Sequence, residues 1–206
     1  MCIRDSHHAI HNYSADGDEV LITDWHWGAY DSLIDYPDRR VVSFRFLTED
    51  GHFHVDAFRE KVEDILTRQK NIVIILNGVA NNPTGYCMSV EEWQAAVDVL
   101  KHTVEGKDKN AVLIPDVAYL DYSGEKQECR RFFKVFGGLP KNILTIVAYT
   151  LSKGFTLYGQ RQGAMIGITS DADVAKEFVD INQYASRATW SNCNSCLLYT
   201  SPSPRD

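Results

Sequence analysis

The run I-L-T-I-V-A-Y at positions 143–149 leads directly into T-L-S-K-G-F-T-L-Y-G-Q-R at positions 150–161. The first seven residues are almost all apolar, which predicts a short buried strand. The second part brings one lysine, Lys153, to the end of that strand, and Arg161 follows eight positions later. A lysine placed there is a candidate amine nucleophile, because burial disfavours its ammonium form. Taken alone, the stretch also fits an ordinary turn with a surface lysine and arginine.

A second apolar run, at positions 72–76, precedes the sequence N-P-T-G at 82–85. This sequence predicts a tight turn, because proline presets φ and glycine accepts conformations that other residues avoid. A turn of this kind has no function by itself, so the motif gains meaning only together with the other two runs.

A third apolar run, at positions 111–115, ends at Asp116, and Tyr119 follows three residues later. An ordinary helix-cap or turn aspartate is the structural alternative. Ligands of open parallel sheets bind beyond the carboxyl ends of the strands. We therefore expect Asp116, Tyr119 and Lys153 to share one site with Asn82.

Strand and helix patterns alternate along the chain. The predicted strands are 19–23, 41–47, 72–76, 111–115, 143–149 and 163–169, and the predicted helices are 7–13, 27–36, 55–69, 90–104, 125–136 and 172–188. This alternation predicts a three-layer α/β/α fold with a mostly parallel sheet. The link between positions 149 and 163 has little room for a crossover helix, so those two strands are expected to be antiparallel.

Four motifs together carry a family resemblance. They are N-P-T-G at 82–85, D-V-A-Y at 116–119, S-K-G-F-T-L-Y-G-Q-R at 152–161 and R-A-T-W-S-N at 187–192. In their order and spacing, over roughly residues 7–194, the chain resembles the class I and II aminotransferases, closest to the aspartate aminotransferase group. These are fold-type I enzymes that depend on pyridoxal 5'-phosphate (PLP). The resemblance implies a truncated large PLP-binding domain.

The resemblance also implies roles for the residues of the shared site. Lys153 would form the Schiff base with PLP and move the proton at the substrate Cα. Asp116 would pair with the pyridine nitrogen, so that the ring takes up negative charge. Asn82 and Tyr119 would bond the 3'-oxygen of the ring, and Asn82 would also contact the substrate. Arg161 would bind the phosphate as a fork of donors.

The remaining site residues are implied by the same resemblance. Thr150 would help to bind the phosphate, at a position where the family more often has serine. Trp27 would stack on the ring, with Trp25 as the alternative, and a core tryptophan is the structural account. Arg187 would pair with the substrate's side-chain carboxylate in a neighbouring subunit, although a helix C-terminal arginine is equally compatible. Ser191 would bind that subunit's phosphate.

The predicted function is a PLP-dependent aminotransferase that moves an amino group from a dicarboxylic or aromatic amino acid to a 2-oxo acid, as a homodimer with shared active sites. One alternative is another fold-type I PLP enzyme, such as a lyase or a decarboxylase. The other is an aminotransferase-like sensor domain of a transcription regulator, since such proteins use this domain to bind PLP or an amino acid.

Composition narrows the possible partners. The formal net charge is −7 without a basic block, which argues against a nucleic-acid partner. No apolar run approaches membrane-spanning length, and the first residues lack the apolar core of a secretory signal, so we expect a cytoplasmic protein. The cysteine count of five, with one C-x-x-C pair at 193–196, predicts neither a disulfide framework nor a metal site. His7, His8 and His11 are expected on a solvated helix face.

The two ends depart from the pattern of the chain between them. Positions 1–6 and 196–206 do not continue the α/β alternation, and both resemble translated sequencing adaptors. The PLP-binding domain is therefore expected over 7–195, as a fragment that would be inactive and poorly folded alone. The phosphate-binding glycine loop and the arginine for the substrate α-carboxylate would lie outside it.

Overall fold

The structure is a computed structural model, which describes residues 3–36, 38–189 and 191. Within these residues the strands are β1 (Glu19–Thr23), β2 (Arg40–Phe44), β3 (Asn71–Leu76), β4 (Asn110–Pro115), β5 (Ile143–Thr150) and β6 (Gly163–Ile168). The α-helices are α1 (Ile3–His11), α2 (Ala29–Asp35), α3 (Val55–Arg68), α4 (Val90–Val104), α5 (Leu151–Gly154) and α6 (Ala172–Thr189). Short 3-10 helices cover Leu120–Tyr122, Glu128–Phe136 and Tyr158–Gln160.

The strands form one sheet in the order β2-β1-β3-β4-β5-β6. The pairs from β2 to β5 are parallel. β6 runs antiparallel to β5, with Thr150 opposite Gly163 at one end and Thr145 opposite Ile168 at the other. The antiparallel arrangement expected from the short link is thus confirmed.

Helices cover both faces of the sheet. Alternate residues of a strand point to opposite faces, and in β1 Leu21 packs in a cluster with α3 and α4, whereas Val20 and Ile22 pack in a cluster with α1 and α2. α6 contributes Val174 and Phe178 to the second cluster. The predicted three-layer α/β/α architecture is confirmed.

The predicted helix at 125–136 differs from the observed one, which is a 3-10 helix over Glu128–Phe136. Its half-buried or buried residues Cys129, Phe132 and Val135 recur every three positions. Side chains at this spacing align along a helix with three residues per turn. The ring of Phe132 lies 5.2 Å from that of Trp93 in α4, so packing against α4 supports this tighter helix.

Two other local features concern the ends of elements. A capping box begins α4, because Ser89 Oγ accepts the Glu92 N–H and the Glu92 carboxylate accepts the Ser89 N–H. The strand predicted over 41–47 stops at Phe44, since the chain then turns to pair Leu47 with Phe53.

The predicted domain boundaries fall at the limits of the structure. The boundary between positions 6 and 7 lies inside α1, and positions 192–206 lie outside the described residues. The assignment of 1–6 and 196–206 as foreign sequence stays a prediction. Across the described part of the chain, no helix is long and apolar enough to cross a membrane.

Candidate active site

One cleft lies beyond the carboxyl ends of β3, β4 and β5. Its lining consists of Trp27, Asn77, Asn82, Asp116, Ala118, Tyr119, Ser152, Lys153, Tyr158 and Arg161. Six of these residues were predicted as site residues from the sequence, namely Trp27, Asn82, Asp116, Tyr119, Lys153 and Arg161. The parallel order of the strands brings together side chains that are far apart in the sequence.

Asp116 is the buried acid of the cleft. It directly follows β4 and is 3% exposed. Its Oδ1 accepts the Ala118 N–H at 2.9 Å, and its Oδ2 accepts the Tyr30 hydroxyl at 2.5 Å. Burial and the neighbouring Asp116 charge raise the pKa of Tyr30 well above its ordinary value. The phenol therefore stays protonated and donates to the carboxylate at neutral pH.

Asn77 connects the N-P-T-G turn to Asp116. It is the first residue after β3 and is buried. Its Nδ2 donates to the Asp116 carbonyl oxygen at 3.1 Å, and its Oδ1 accepts the Asn82 N–H at 2.6 Å. The predicted turn is present, and Gly85 closes it with φ of 73°, a conformation that favours glycine. One buried amide thus fixes Asn82 relative to the end of β4.

Lys153 lies in the short helix α5, immediately after β5, and is half-buried. Its Nζ is 5.2 Å from the centre of the Tyr119 ring and 5.0 Å from that of the Tyr158 ring. Both distances are within the range of cation–π attraction. The two rings hold the amine over the cleft. The backbone carbonyl oxygen of Lys153 accepts the Tyr122 hydroxyl at 2.9 Å.

The residue after Lys153 has to be small. A Cβ at Gly154 would collide with Asp121 Oδ2. Asp121 is itself held by the Tyr149 hydroxyl at 3.1 Å and by Arg130 at 2.7 Å. This network brings the backbone of α5 close to the Asp121 side chain and so sets where Lys153 begins.

Arg161 also lines the cleft and adopts a left-handed backbone conformation with φ of 54°. Non-glycine residues adopt this region infrequently. Its guanidinium lies 5.3 Å from the centre of the Tyr158 ring and donates to the Tyr158 carbonyl oxygen at 3.0 Å. Tyr158 therefore contacts both cations of the cleft.

Thr150 is not among the residues that line the cleft. It is buried, its hydroxyl donates to the Gln162 carbonyl oxygen at 3.2 Å, and the Ser152 hydroxyl oxygen lies 3.0 Å from it. Its oxygen also accepts the Ser152 N–H at 3.2 Å. The hydroxyl that faces the cleft is that of Ser152, and Thr150 holds it in place.

The two candidate tryptophans lie in different places. Trp27 lines the cleft, half-buried, and its ring meets that of Tyr30 edge to face at 5.8 Å. Trp25 is 55% exposed and lies outside the lining. Of the two tryptophans, Trp27 is therefore the one placed to cover a ligand in this cleft.

Arg187 and Ser191 are not brought to the cleft. They meet near the end of α6, where Arg187 Nη1 donates to Ser191 Oγ at 2.5 Å, and they line a separate surface groove. Trp190 and Asn192 of the same motif, and the C-x-x-C pair at 193–196, lie outside the described residues.

The expectation of a solvated histidine face on α1 is wrong. His8 is 4% exposed, and the rings of His7 and His11 approach to 4.2 Å. His11 Nε2 also bonds the Leu33 carbonyl oxygen of α2 at 3.2 Å. α1 packs between α2 and α6, which covers this face, and burial lowers the pKa of all three histidines.

Sequence reasoning missed four polar residues of the cleft and its support. They are Tyr30, Asn77, Ser152 and Tyr158. Asn77 was accessible to the rule used for the others, since it is the first polar residue after an apolar run. Tyr30 carries no such signal, because its partner lies 86 residues away.

Comparison with known proteins identifies the family. The family model for aminotransferase class I and II matches residues 8–199. The chain belongs to this family. Its members depend on PLP.

The chain is 28% identical over 177 residues to the mitochondrial aspartate aminotransferase P2 of Lupinus angustifolius, covering 85% of the chain and 37% of that protein. It is 24% identical to an aromatic-amino-acid aminotransferase of Pseudomonas aeruginosa, covering 85% and 41%.

Solved structures agree with this assignment. An aminotransferase from Anaerococcus prevotii DSM 20548 matches with a TM-score of 0.91 and 35% identity, over 98% of this chain and 49% of that one. An aromatic-amino-acid aminotransferase from Burkholderia pseudomallei, covalently bound to PLP, has the same fold, with a TM-score of 0.72 and 22% identity over 92% and 44%. The chain spans less than half the length of the relatives described here.

The donor set of the cleft fits PLP. The aldehyde of PLP calls for an amine, here Lys153, and its ring nitrogen calls for a carboxylate, here Asp116. Its ring oxygen suits the donors of Asn82 and Tyr119. Its phosphate suits Arg161, whose fork of N–H groups matches phosphate oxygens. The cleft thus offers a partner for each polar group of PLP.

Proposed function

We propose that this chain is the PLP-binding domain of an aminotransferase that transfers an amino group from a dicarboxylic or aromatic amino acid to a 2-oxo acid. The observation that carries the proposal is the shared cleft of Lys153 and Asp116, which the ends of neighbouring strands β5 and β4 bring together. A nucleophilic amine and a buried carboxylate are the two groups that PLP chemistry requires from a protein.

The residues of the cleft have separate tasks in this proposal. Lys153 would hold PLP by condensing with its aldehyde carbon, with loss of water, and the lysine amine would move a proton at the substrate Cα. Bound PLP supplies a conjugated ring that takes up the electron pair left at that carbon. Asp116 holds a proton on the ring nitrogen. Asn82 and Tyr119 donate to the ring oxygen, and Trp27 covers one face of the ring.

We assign the phosphate of PLP to a different part of the cleft from the ring. Arg161 binds it, and the Ser152 hydroxyl, which Thr150 holds, adds a further donor. A hydrogen bond from a charged donor to phosphate is stronger than one between neutral groups. This part of the cleft therefore supplies much of the binding energy for the cofactor.

Arg187 and Ser191 act on a second copy of the chain in this proposal. They lie away from the cleft, so they serve the cleft of a partner in a homodimer. Arg187 would pair with the side-chain carboxylate of the substrate in two parallel bonds, which explains a preference for aspartate or glutamate. Ser191 would bond the partner's phosphate.

The proposal also covers the cellular setting. We place the protein in the cytoplasm, without a nucleic-acid partner. The free thiols of Cys87 and Cys129 are compatible with a reducing compartment.

The 206-residue chain alone should not transaminate. It spans 37% of the lupin enzyme and 41% of the Pseudomonas enzyme. We propose that the α-carboxylate of the substrate and part of the phosphate are bound by segments outside the chain. Measurable transamination by the isolated chain would contradict this part of the proposal.

Reductive trapping tests the function. The protein at full native length is incubated with PLP, treated with borohydride and digested, and the modified peptide is found by mass spectrometry. We expect the label on Lys153, and its loss when an amino acid donor is added first, together with formation of the matching 2-oxo acid. Labelling elsewhere would contradict the role of Lys153. Carbon dioxide or ammonia as the product would instead indicate a decarboxylase or a lyase.

A further inference from the structure

Tyr30 is a buried group that none of the roles above uses. It is 1% exposed and does not line the cleft, yet its hydroxyl donates to Asp116 Oδ2 at 2.5 Å. The contact joins residues of α2 and the end of β4. A buried tyrosine needs only some acceptor for its hydroxyl, and here that acceptor is the carboxylate proposed to hold the ring nitrogen.

The position of Tyr30 is set by packing rather than by this one bond. Tyr30 lies in the first turn of α2, and its N–H donates to the Trp27 carbonyl oxygen at 2.9 Å. Leu33 and Ile34, on the same buried face of α2, anchor the helix in the core. The hydroxyl is therefore presented to Asp116 by a rigid element, which makes it suited to orient a catalytic group.

We propose that Tyr30 is a positioning residue that fixes the Asp116 carboxylate for the ring nitrogen of PLP. The inference rests on the proposed function. Oδ1 accepts the Ala118 N–H and Oδ2 accepts the phenol, and rotation of the carboxylate would break both bonds. Two donors also stabilise the negative charge in a buried site.

The phenol suits this role because it is neutral. Burial and the adjacent Asp116 charge raise its pKa well above the ordinary value, so it donates throughout the neutral range without adding a charge. His26 is a further titratable group that faces Tyr30; its ring stacks on that of Tyr30 at 6.2 Å, and its Nε2 bonds Asp31 at 3.1 Å. The bond between Tyr30 and Asp116 joins those two side chains directly.

The test compares the protein with its Tyr30→Phe variant, both at full native length and loaded with PLP labelled with ¹⁵N in the ring. We expect the variant to bind PLP about tenfold more weakly, the usual scale for one hydrogen bond to a charged group. We also expect its ¹⁵N resonance to move towards that of the unprotonated ring. Tyr13→Phe is the matched control, because Tyr13 also bonds through its hydroxyl, to Asn182, but lies outside the cleft.

The outcomes separate the two proposals. Failure of the unmodified protein to bind PLP would contradict the proposed function, and the role of Tyr30 with it. An unchanged ¹⁵N resonance in Tyr30→Phe, whatever its PLP affinity, would overturn the role of Tyr30 alone. If the variant does not fold, the test is the NMR resonance of the low-field hydroxyl proton of Tyr30 in the unmodified protein. It must shift when PLP binds, and a fixed position overturns the proposal.

Discussion

On one side of the cleft Tyr30, Asn77, Asn82 and Asp116 bond to one another across β3, β4 and α2. On the other side lie Ser152, Lys153, Tyr158 and Arg161, whose contacts are mostly with residues close in sequence. We call these the Asp116 wall and the Lys153 wall. Three members of the first wall are no more than 3% exposed, whereas Tyr158 of the second is 63% exposed.

The two walls differ in how much they contribute to the stability of the fold and to the chemistry of the site. The Asp116 wall is part of the core, so its bonds hold the fold as well as the site. The Lys153 wall follows β5 as a short helix and a turn, and its Tyr158 is exposed. Substitutions in the first wall should therefore change stability and cofactor binding together, and those in the second should change function with little effect on stability.

The largest expected effect is that of Lys153→Ala. We expect kcat/KM to fall by about 10⁴-fold, because the amine that bonds PLP and moves the proton is lost. The free energy of unfolding should change by no more than about 0.5 kcal/mol. Initial rates and urea unfolding measure the two. Lys134→Ala, at an exposed lysine, is the control, and a large loss of stability in Lys153→Ala alone would contradict the comparison.

Asp116→Ala should show the opposite balance. PLP binding should weaken by about 10²-fold, since one charge-assisted bond is lost. In addition the Tyr30 hydroxyl and the Ala118 N–H, both buried, lose their acceptor, which should reduce the free energy of unfolding by about 2–4 kcal/mol. Urea unfolding without PLP measures this term by itself. A variant as stable as the unmodified protein would show that the Asp116 wall does not support the fold.

Two members of each wall were predicted from the sequence and two were missed. Asp116 and Lys153 follow apolar runs, and the parallel sheet brings the ends of such runs together, so their proximity followed from the strand pattern alone. Asn77 satisfies the same rule and was overlooked because the nearby N-P-T-G turn carried the resemblance. Tyr30 could not be found in this way, because no sequence pattern pairs a residue with a partner in a distant element.

Prediction from sequence was incomplete elsewhere for related reasons. Thr150 was predicted to help bind the phosphate and stays a prediction in that role; the sequence did not show that its hydroxyl bonds the Ser152 N–H at the start of α5. The histidines of α1 were expected in solvent, because a helix of uncertain length gives no sign of what packs on it. Neighbouring elements decide both cases, and periodicity describes one element at a time.

Arg161→Gln refines the comparison within the Lys153 wall. We expect PLP to bind about 20-fold more weakly, because a charged donor to the phosphate is replaced by a neutral one. Stability should change by less than about 0.5 kcal/mol. A titration of PLP absorbance gives the dissociation constant. Arg131→Gln, which removes an exposed arginine paired with Glu128, is the control and should leave the constant unchanged.

The smallest expected effect comes from pH and concerns the support beneath the Asp116 wall. Burial lowers the pKa of His7, His8 and His11 in the folded protein, so the unfolded chain binds more protons at mildly acidic pH. Their contribution to stability is therefore complete above about pH 6.5 and is lost as the pH falls through the lowered values. α1 contacts α2, the helix that carries Tyr30, through the bond of His11 to the Leu33 carbonyl oxygen. In the unmodified protein the urea midpoint should be lower at about pH 5.5 than at about pH 7.5. This difference should shrink when all three histidines are replaced by glutamine. An equal difference in the triple variant would mean that groups other than these three histidines cause the acid sensitivity. It would also mean that α1 does not transmit an effect of pH to the Asp116 wall.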